Sequence, residues 1–213
     1  MKERPILMSG EMVRAILEGR KTQTRRVVKP QPTCCSEVTS IEHHENPKCH
    51  NWLAKINGAT LGIMQIGCKY GVPGDRLWVK ERHAYVWGTY FPSGHKDVIY
   101  FADCVRDDSE ERDGWWIAER FISNPLKWKP SIFMPRRASR ITLEIVSVKV
   151  ERLCDISEED AKAEGVNGMF GKSAISDPAY RVDYRLLWEK INGAGSWEKN
   201  PWVWVVEFKR VAL

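Results

Sequence analysis

Apolar positions along this chain change their period several times, and each change marks an expected element. Met12, Val13, Ile16 and Leu17 recur at helical spacing, so one face of a short helix is buried. Ser9 stands where an N-cap is needed, Glu11 suits the positive helix end, and Gly19 can end the helix in a left-handed conformation. The apolar run at 5–8 reads as a first strand. After Gly19, the β-branched Thr22, Thr24, Val27 and Val28 favour a second strand, which Pro30 and Pro32 stop. At 76–81 the period is two, with Leu77 and Val79 on one face and Trp78 and Lys80 on the other. A longer strand alternates Ile141, Leu143 and Ile145, then Val146, Val148 and Val150 in the opposite phase. Such a flip predicts a β-bulge near Ile145, as curved sheets use.

Ser157 can cap a short helix over 158–163 or 164, ended by Gly165. Asp177 and Pro178 open a third helix, with Val182, Leu186 and Leu187 in its buried face and Asn192-Gly193 at its end. Residues 202–208, rich in Trp and Val, form a final strand. Pro and Gly at 70–75 predict a turn. Two prolines keep 130–140 extended. Two stretches show no clear period, about 33–67 and 84–130, and read as irregular insertions. The elements sum to an α+β chain with a mostly antiparallel sheet and short flanking helices.

Composition narrows the class. The chain has 213 residues, 43% of them hydrophobic, enough for one large domain with a real core. A formal net charge of +5 is compatible with an anionic partner and too small to demand one. No apolar run approaches the ~20 residues of a membrane span, and residues 1–5 do not read as an export leader. With six cysteines and no leader, reduced thiols and a cytoplasmic location are expected.

Candidate chemistry lies in three places. The first is the basic turn after Gly19, where Arg20, Lys21, Arg25 and Arg26 surround Thr22 and Thr24. The second is the insertion at 33–67, dense in metal-ligand types. Cys34, Cys35, Cys49 and His50 are the zinc candidates, but no Cys-x-x-Cys pair occurs, and a variable surface insertion with adventitious thiols explains them more simply. No cofactor is otherwise expected. The third is a second basic cluster with Arg136, Arg137 and Arg140. Glu81, Arg82 and His83 together read most simply as a surface ion pair. The aromatics between 84 and 130 suit either a small core under a loop or a platform for stacked bases.

The run Gly19-Arg20-Lys21-Thr22-x-Thr24-x-Arg26 resembles the opening motif of the ASCH domain family, related in fold to PUA domains. Gly74-Asp75 before a strand, the long strand at 141–150 followed by a Ser-capped helix carrying Glu164, and the terminal Trp-Val-Val-Glu-Phe run agree in order. The match covers about half the chain: roughly 4–31, 69–83 and 136–213. Met8-Ser9-Gly10-Glu11-Met12 and the Pro-Arg-Arg-Ala-Ser-Arg run at 135–140 look like the ASCH proteins of bacteriophages and prophages.

The resemblance implies a single PUA-like β-barrel domain over 1–213, and RNA, other nucleic acid or a modified nucleoside as partner. Some small bacterial members are amidohydrolases that remove the acetyl group from N4-acetylcytidine. Their functional Lys, Thr and Glu carry over to Lys21, Thr24 and Glu164, with Glu81 as the substitute carboxylate. Arg20, Arg26, Glu81, Arg136 and Arg140 are then the expected substrate-binding residues. The residues leave Lys21 open between base and oxyanion donor. Neighbouring arginines lower its pKa, whereas a close Glu164 raises it. They also leave open a non-catalytic nucleotide-binding module with a regulatory role, which would tolerate loss of Thr24.

Overall fold

The computed structural model describes residues 1–31, 40–43, 52–56, 59–64, 67–87, 96–104, 127–168 and 179–211. It is a mixed α+β structure, rich in sheet, with a few helices. The main sheet has five strands: β1 (Glu3–Leu7), β2 (Gln23–Val27), β6 (Arg76–Lys80), β9 (Thr142–Arg152) and β10 (Trp202–Val211). Their order is β1-β6-β9-β10-β2. Only β1 and β6 run parallel; the other pairs are antiparallel.

The expected bulge is present. Glu207 pairs with Ser147 and Phe208 with Ile145, so Val146 is the extra residue on β9. Val146 is exposed while Leu143 and Ile145 on the earlier phase are buried. The bulge bends β9 and β10, and the two ends of the sheet approach each other. Arg26 on β2 donates from Nη2 to the Leu7 carbonyl of β1 at 2.8 Å, and also reaches Met8 Sδ at 3.6 Å. A side chain thus bridges the two edge strands.

Strand β10 is buried on both faces, which explains its continuous apolar run. Trp202, Trp204, Val206 and Phe208 enter one core with Leu77, Val79, Leu143 and Ile145. Helix α1 (Gly10–Leu17) packs into it through Met12, Val13 and Ile16. Ser9 Oγ accepts from Met12 N at 3.3 Å, and Gly19 has φ +76°. Val203 and Val205 face a second core with Leu153, Ile156, Tyr184 and Trp188. That core is covered by α3 (Glu158–Ala163) and α4 (Ala179–Asn192). Ser157 caps α3 as expected, accepting from Asp160 N at 3.0 Å.

Several expectations are corrected. The stretch 33–67 contains regular structure among its described residues. Three strands, β3 (Ser40–His43), β4 (Trp52–Ile56) and β5 (Ala59–Met64), form an antiparallel sheet there, and Ile41 joins the first core. The stretch 84–130 likewise holds an antiparallel pair, β7 (His83–Trp87) with β8 (Lys96–Tyr100), followed by α2 (Phe101–Cys104). These strands are short and flanked by polar residues, so their alternation is weak. Residues 130–140 are not simply extended: one 3₁₀ turn spans Ser131–Phe133 and another Arg136–Ala138, each begun by a proline. The α4 face also differs. Asp183, Tyr184 and Trp188 are buried, Leu186 is exposed, and Val182 and Leu187 are half-buried. Aromatic bulk, rather than the leucines, sets the inward face. Among the described residues no helix is long and apolar enough to cross a membrane.

Candidate functional site

The site is built where the start of β2 meets the end of α3. Lys21 N donates to Ala15 O at 3.0 Å and Thr22 N to Ala163 O at 2.9 Å, tying the chain after Gly19 to both helices. Glu164 is the C-cap of α3, followed by Gly165 at φ +89°. A Cβ on Gly165 would lie 2.9 Å from both Ala15 Cβ and Lys21 Cβ. Glycine is therefore required twice here, for the backbone conformation and for the approach of Lys21.

Lys21 Nζ donates to Glu164 Oε2 and to the Glu164 carbonyl, both at 2.7 Å. The first is an ion pair with 0% and 2% side-chain exposure. The second satisfies a carbonyl left over at the end of α3. Two of the three ammonium donors are thereby committed. Burial lowers the Lys21 pKa and outweighs the Glu164 charge that opposes it; Arg26 and Arg25 add to the lowering.

Arg25 lies on the same carboxylate from the other side. Its Nη2 donates to Asp160 Oδ2 at 2.8 Å and to Glu151 Oε2 at 3.2 Å, and its Nη1 is 3.6 Å from Glu164 Oε1. Gln23 Nε2 donates to the Asp160 carbonyl and Oδ1, at 2.7 and 3.0 Å. Burial works against the Arg25 charge, but Glu164 and Asp160 outweigh it and raise the pKa. Tyr184 stands beside Glu164. Burial raises its pKa well above the usual value, and the carboxylate adds to this, so the phenol is neutral.

Two cavities meet at Glu164. The inner one, about 50 Å³, is lined by Thr24, Arg25, Arg26, Glu164, Tyr184 and Trp188, among others. The outer one, about 380 Å³, lies between α1 and α4, with Arg14, Glu18, Arg20, Asp183 and Lys190 among its lining residues. Met12, Glu164 and Leu187 line both. An outer chamber large enough for a small ligand thus adjoins an inner one sized for a few atoms.

Of the expected residues, the structure brings together Lys21, Thr24, Glu164, Arg20 and Arg26. Thr24 is buried on the inner cavity, Arg26 lines it, and Arg20 lines the outer one. Glu81, Arg136 and Arg140 do not join them. Arg140 forms a bidentate pair with Glu81 (3.0 and 3.1 Å) and another with Asp103 (2.7 and 2.8 Å). Glu81 and His83 are buried, not surface groups. Arg136 is held by Glu3 and Thr142. The acids that claim them are distant in sequence, so Arg136 and Arg140 looked free when they are paired. Cys34, Cys35, Cys49 and His50 lie outside the described residues, and among the described residues no group of three metal-ligand side chains occurs.

Asp160, Tyr184 and Gly165 were not foreseen as site residues. Asp160 was visible only as part of a cap, and Tyr184 was hidden by the leucines of α4. No family model, curated protein or solved structure matches the chain.

Proposed function

We propose that this chain is an ASCH-type protein with a PUA-like barrel whose reactive site hydrolyses an amide, with an N4-acylated cytidine as the substrate class. The observation that carries the reading is Glu164, paired with the buried Lys21 behind it, sharing a cavity wall with the Thr24 side chain. Curvature sufficient for Arg26 to bridge the two edge strands supports the barrel.

In this reading Lys21 fixes Glu164 through Oε2 and leaves Oε1 for proton transfer. Glu164 accepts the Thr24 hydroxyl proton as Oγ1 bonds to the acyl carbon. The same proton passes to the amide nitrogen as the C–N bond breaks, releasing cytidine. Water then cleaves the threonyl ester, giving the carboxylic acid and free Thr24. The lowered pKa of Lys21 fits a group held in a dry site. Its two committed donors argue against a primary role as oxyanion donor. The outer cavity has room for the nucleoside, and Arg20 and Lys190 on its walls suit a phosphate where the substrate is a nucleotide or RNA.

Turnover of N4-acetylcytidine by the wild-type chain, followed by cytidine release, tests this. Thr24→Val and Glu164→Gln are each expected to lower kcat about 10²-fold or more. Absence of turnover by folded wild type overturns the hydrolase reading. Full activity in Thr24→Val removes Thr24 as the nucleophile.

A further inference from the structure

The inner cavity carries polar atoms with nothing to bind. Glu164 Oε1, Arg25 Nη1 and Arg25 Nε are buried, and none has a hydrogen-bond partner among the described residues. Tyr184 interacts with the Glu164 carboxylate by charge and through a side-chain hydrogen bond, while Oε1 has no partner at normal hydrogen-bond geometry. The 3.6 Å between Nη1 and Oε1 is an ion-pair distance, too long for a hydrogen bond. A buried polar group left unpaired is destabilising, so adjacent unpaired donors and an acceptor call for an explanation. Both residues line the same 50 Å³ space. It exceeds the ~30 Å³ share of one water in the liquid.

We infer that Arg25 Nη1 is the donor to the substrate carbonyl oxygen, beside Glu164 Oε1, the proton acceptor of the proposed reaction. An amide carbonyl oxygen is an uncharged acceptor of the kind that Arg25 Nη1 lacks. A carboxylate product would meet the Glu164 charge and fit worse. Arg25 also suits a developing oxyanion better than Lys21. Its Nη2 is anchored by Asp160 and Glu151, so Nη1 is held in place before the substrate arrives. Lys21 has spent two donors on Glu164 itself. The inference rests on reading this site as the reactive one, but assigns it a residue that the opening motif does not include.

Binding can be read without turnover. Acetamide and acetate are titrated into the full-length chain and followed by ligand-observed NMR saturation transfer. Wild type should bind acetamide saturably and at least tenfold more tightly than acetate. Arg25→Lys keeps the charge and loses Nη1, and should weaken acetamide binding at least fivefold. Arg25 also holds α3, so this variant needs a folding check by circular dichroism. Ile191→Phe is the second variant: Ile191 lines the inner cavity yet is half-exposed, so a larger ring there should fold and block the space. It too should weaken acetamide binding at least fivefold.

Equal binding of acetamide and acetate, or no acetamide binding, overturns the inference. Acetamide binding that survives both substitutions does the same. Acetamide binding lost in both variants, with no turnover of N4-acetylcytidine, upholds the Arg25–Glu164 amide site and discards that nucleoside as substrate. Turnover with no acetamide binding leaves the hydrolase reading standing and discards the role of Arg25. Where turnover occurs, Arg25→Lys should lower kcat about 10²-fold with KM changed far less, as loss of an oxyanion donor does.

Discussion

Glu164 and Glu81 are both buried carboxylates held by basic partners, yet only one belongs to an open arrangement. Glu81 receives two bonds from Arg140, through Nε and Nη2, while Nη1 and Nη2 of the same guanidinium donate to Asp103 and the group stacks over Tyr100 at 3.9 Å from the ring centre. Every carboxylate oxygen of Glu81 is used. The orphan nearby is His83 Nε2, on an imidazole whose pKa is lowered by burial. Its Nδ1 lies 3.2 Å from the Glu81 carbonyl, an obligate acceptor, so the proton sits on Nδ1 and Nε2 is a bare lone pair. Around Glu164 the unused atoms include donors and an acceptor, and a cavity adjoins them. Burial and a salt bridge are therefore poor guides to function by themselves. Incomplete satisfaction beside a void is the better one.

The comparison is tested most strongly by removing one partner of the deeper pair. Lys21→Met leaves the Glu164 charge in a site with almost no solvent and should destabilise the chain by about 3–5 kcal/mol. The double variant Lys21→Met/Glu164→Leu should regain most of that loss while remaining inactive, since apolar residues replace a buried pair at little cost. Glu81→Gln should cost less, about 2 kcal/mol, because Arg140 keeps Asp103 and is one-quarter exposed. Urea unfolding of the four proteins measures all of this. A Lys21→Met loss below that of Glu81→Gln would dissolve the distinction between the two clusters.

Much of this was legible in the chain, for reasons that differ by residue. Lys21 and Thr24 stood out because hydroxyls inside a basic turn after a helix-ending glycine are an unusual combination. Glu164 came only through the family resemblance, the Ser157 cap and Gly165 stop giving just the helix that carries it, and a bulge near Ile145 followed from a phase flip that few other arrangements produce. Arg25 was passed over because an arginine within a strand reads as a solvated face, when its partners Asp160 and Glu151 lie more than a hundred positions away. The strands at 40–64 were missed because each is four to six residues long. Grouping Arg136 and Arg140 with Lys21 failed because sequence proximity to a basic cluster says nothing about which acids will claim it.

Acid titration separates the clusters by sign. In Asp160, burial works to raise the pKa, but Gln23 and Arg25 outweigh it and hold the carboxyl below its usual value. Its contribution to stability is present above ~3.9 and is lost as pH falls through the folded value. In Glu81, burial raises the pKa and Arg140 only partly offsets it. The folded state then binds the proton more tightly than the unfolded one, so stability is lost as pH rises above ~4.3 toward the folded value. Urea midpoints between pH 2.5 and 7 should therefore show opposite behaviour. The wild-type advantage over Asp160→Asn should grow as pH rises toward 4. The difference between wild type and Glu81→Gln should shift against wild type as pH rises beyond that. Parallel curves would show that the two carboxylates share one kind of environment.

The smallest effect on stability is expected at Arg20, and it bears on the outer cavity alone. Arg20 is exposed, donating to Glu18 at 2.7 Å and to the Gly165 carbonyl at 2.7 Å. An exposed pair of this kind contributes less than about 1 kcal/mol, so Arg20→Ala should unfold almost as wild type does. Its position on the outer wall gives it a different readout. Removing a cation there should raise KM for a phosphorylated or polynucleotide substrate and leave KM for the free nucleoside nearly unchanged, with kcat constant for both. Such a split would separate the chamber that holds the substrate from the inner pocket that reacts with it. An equal change for both substrates would mean that Arg20 acts through Gly165 on the Lys21–Glu164 pair instead.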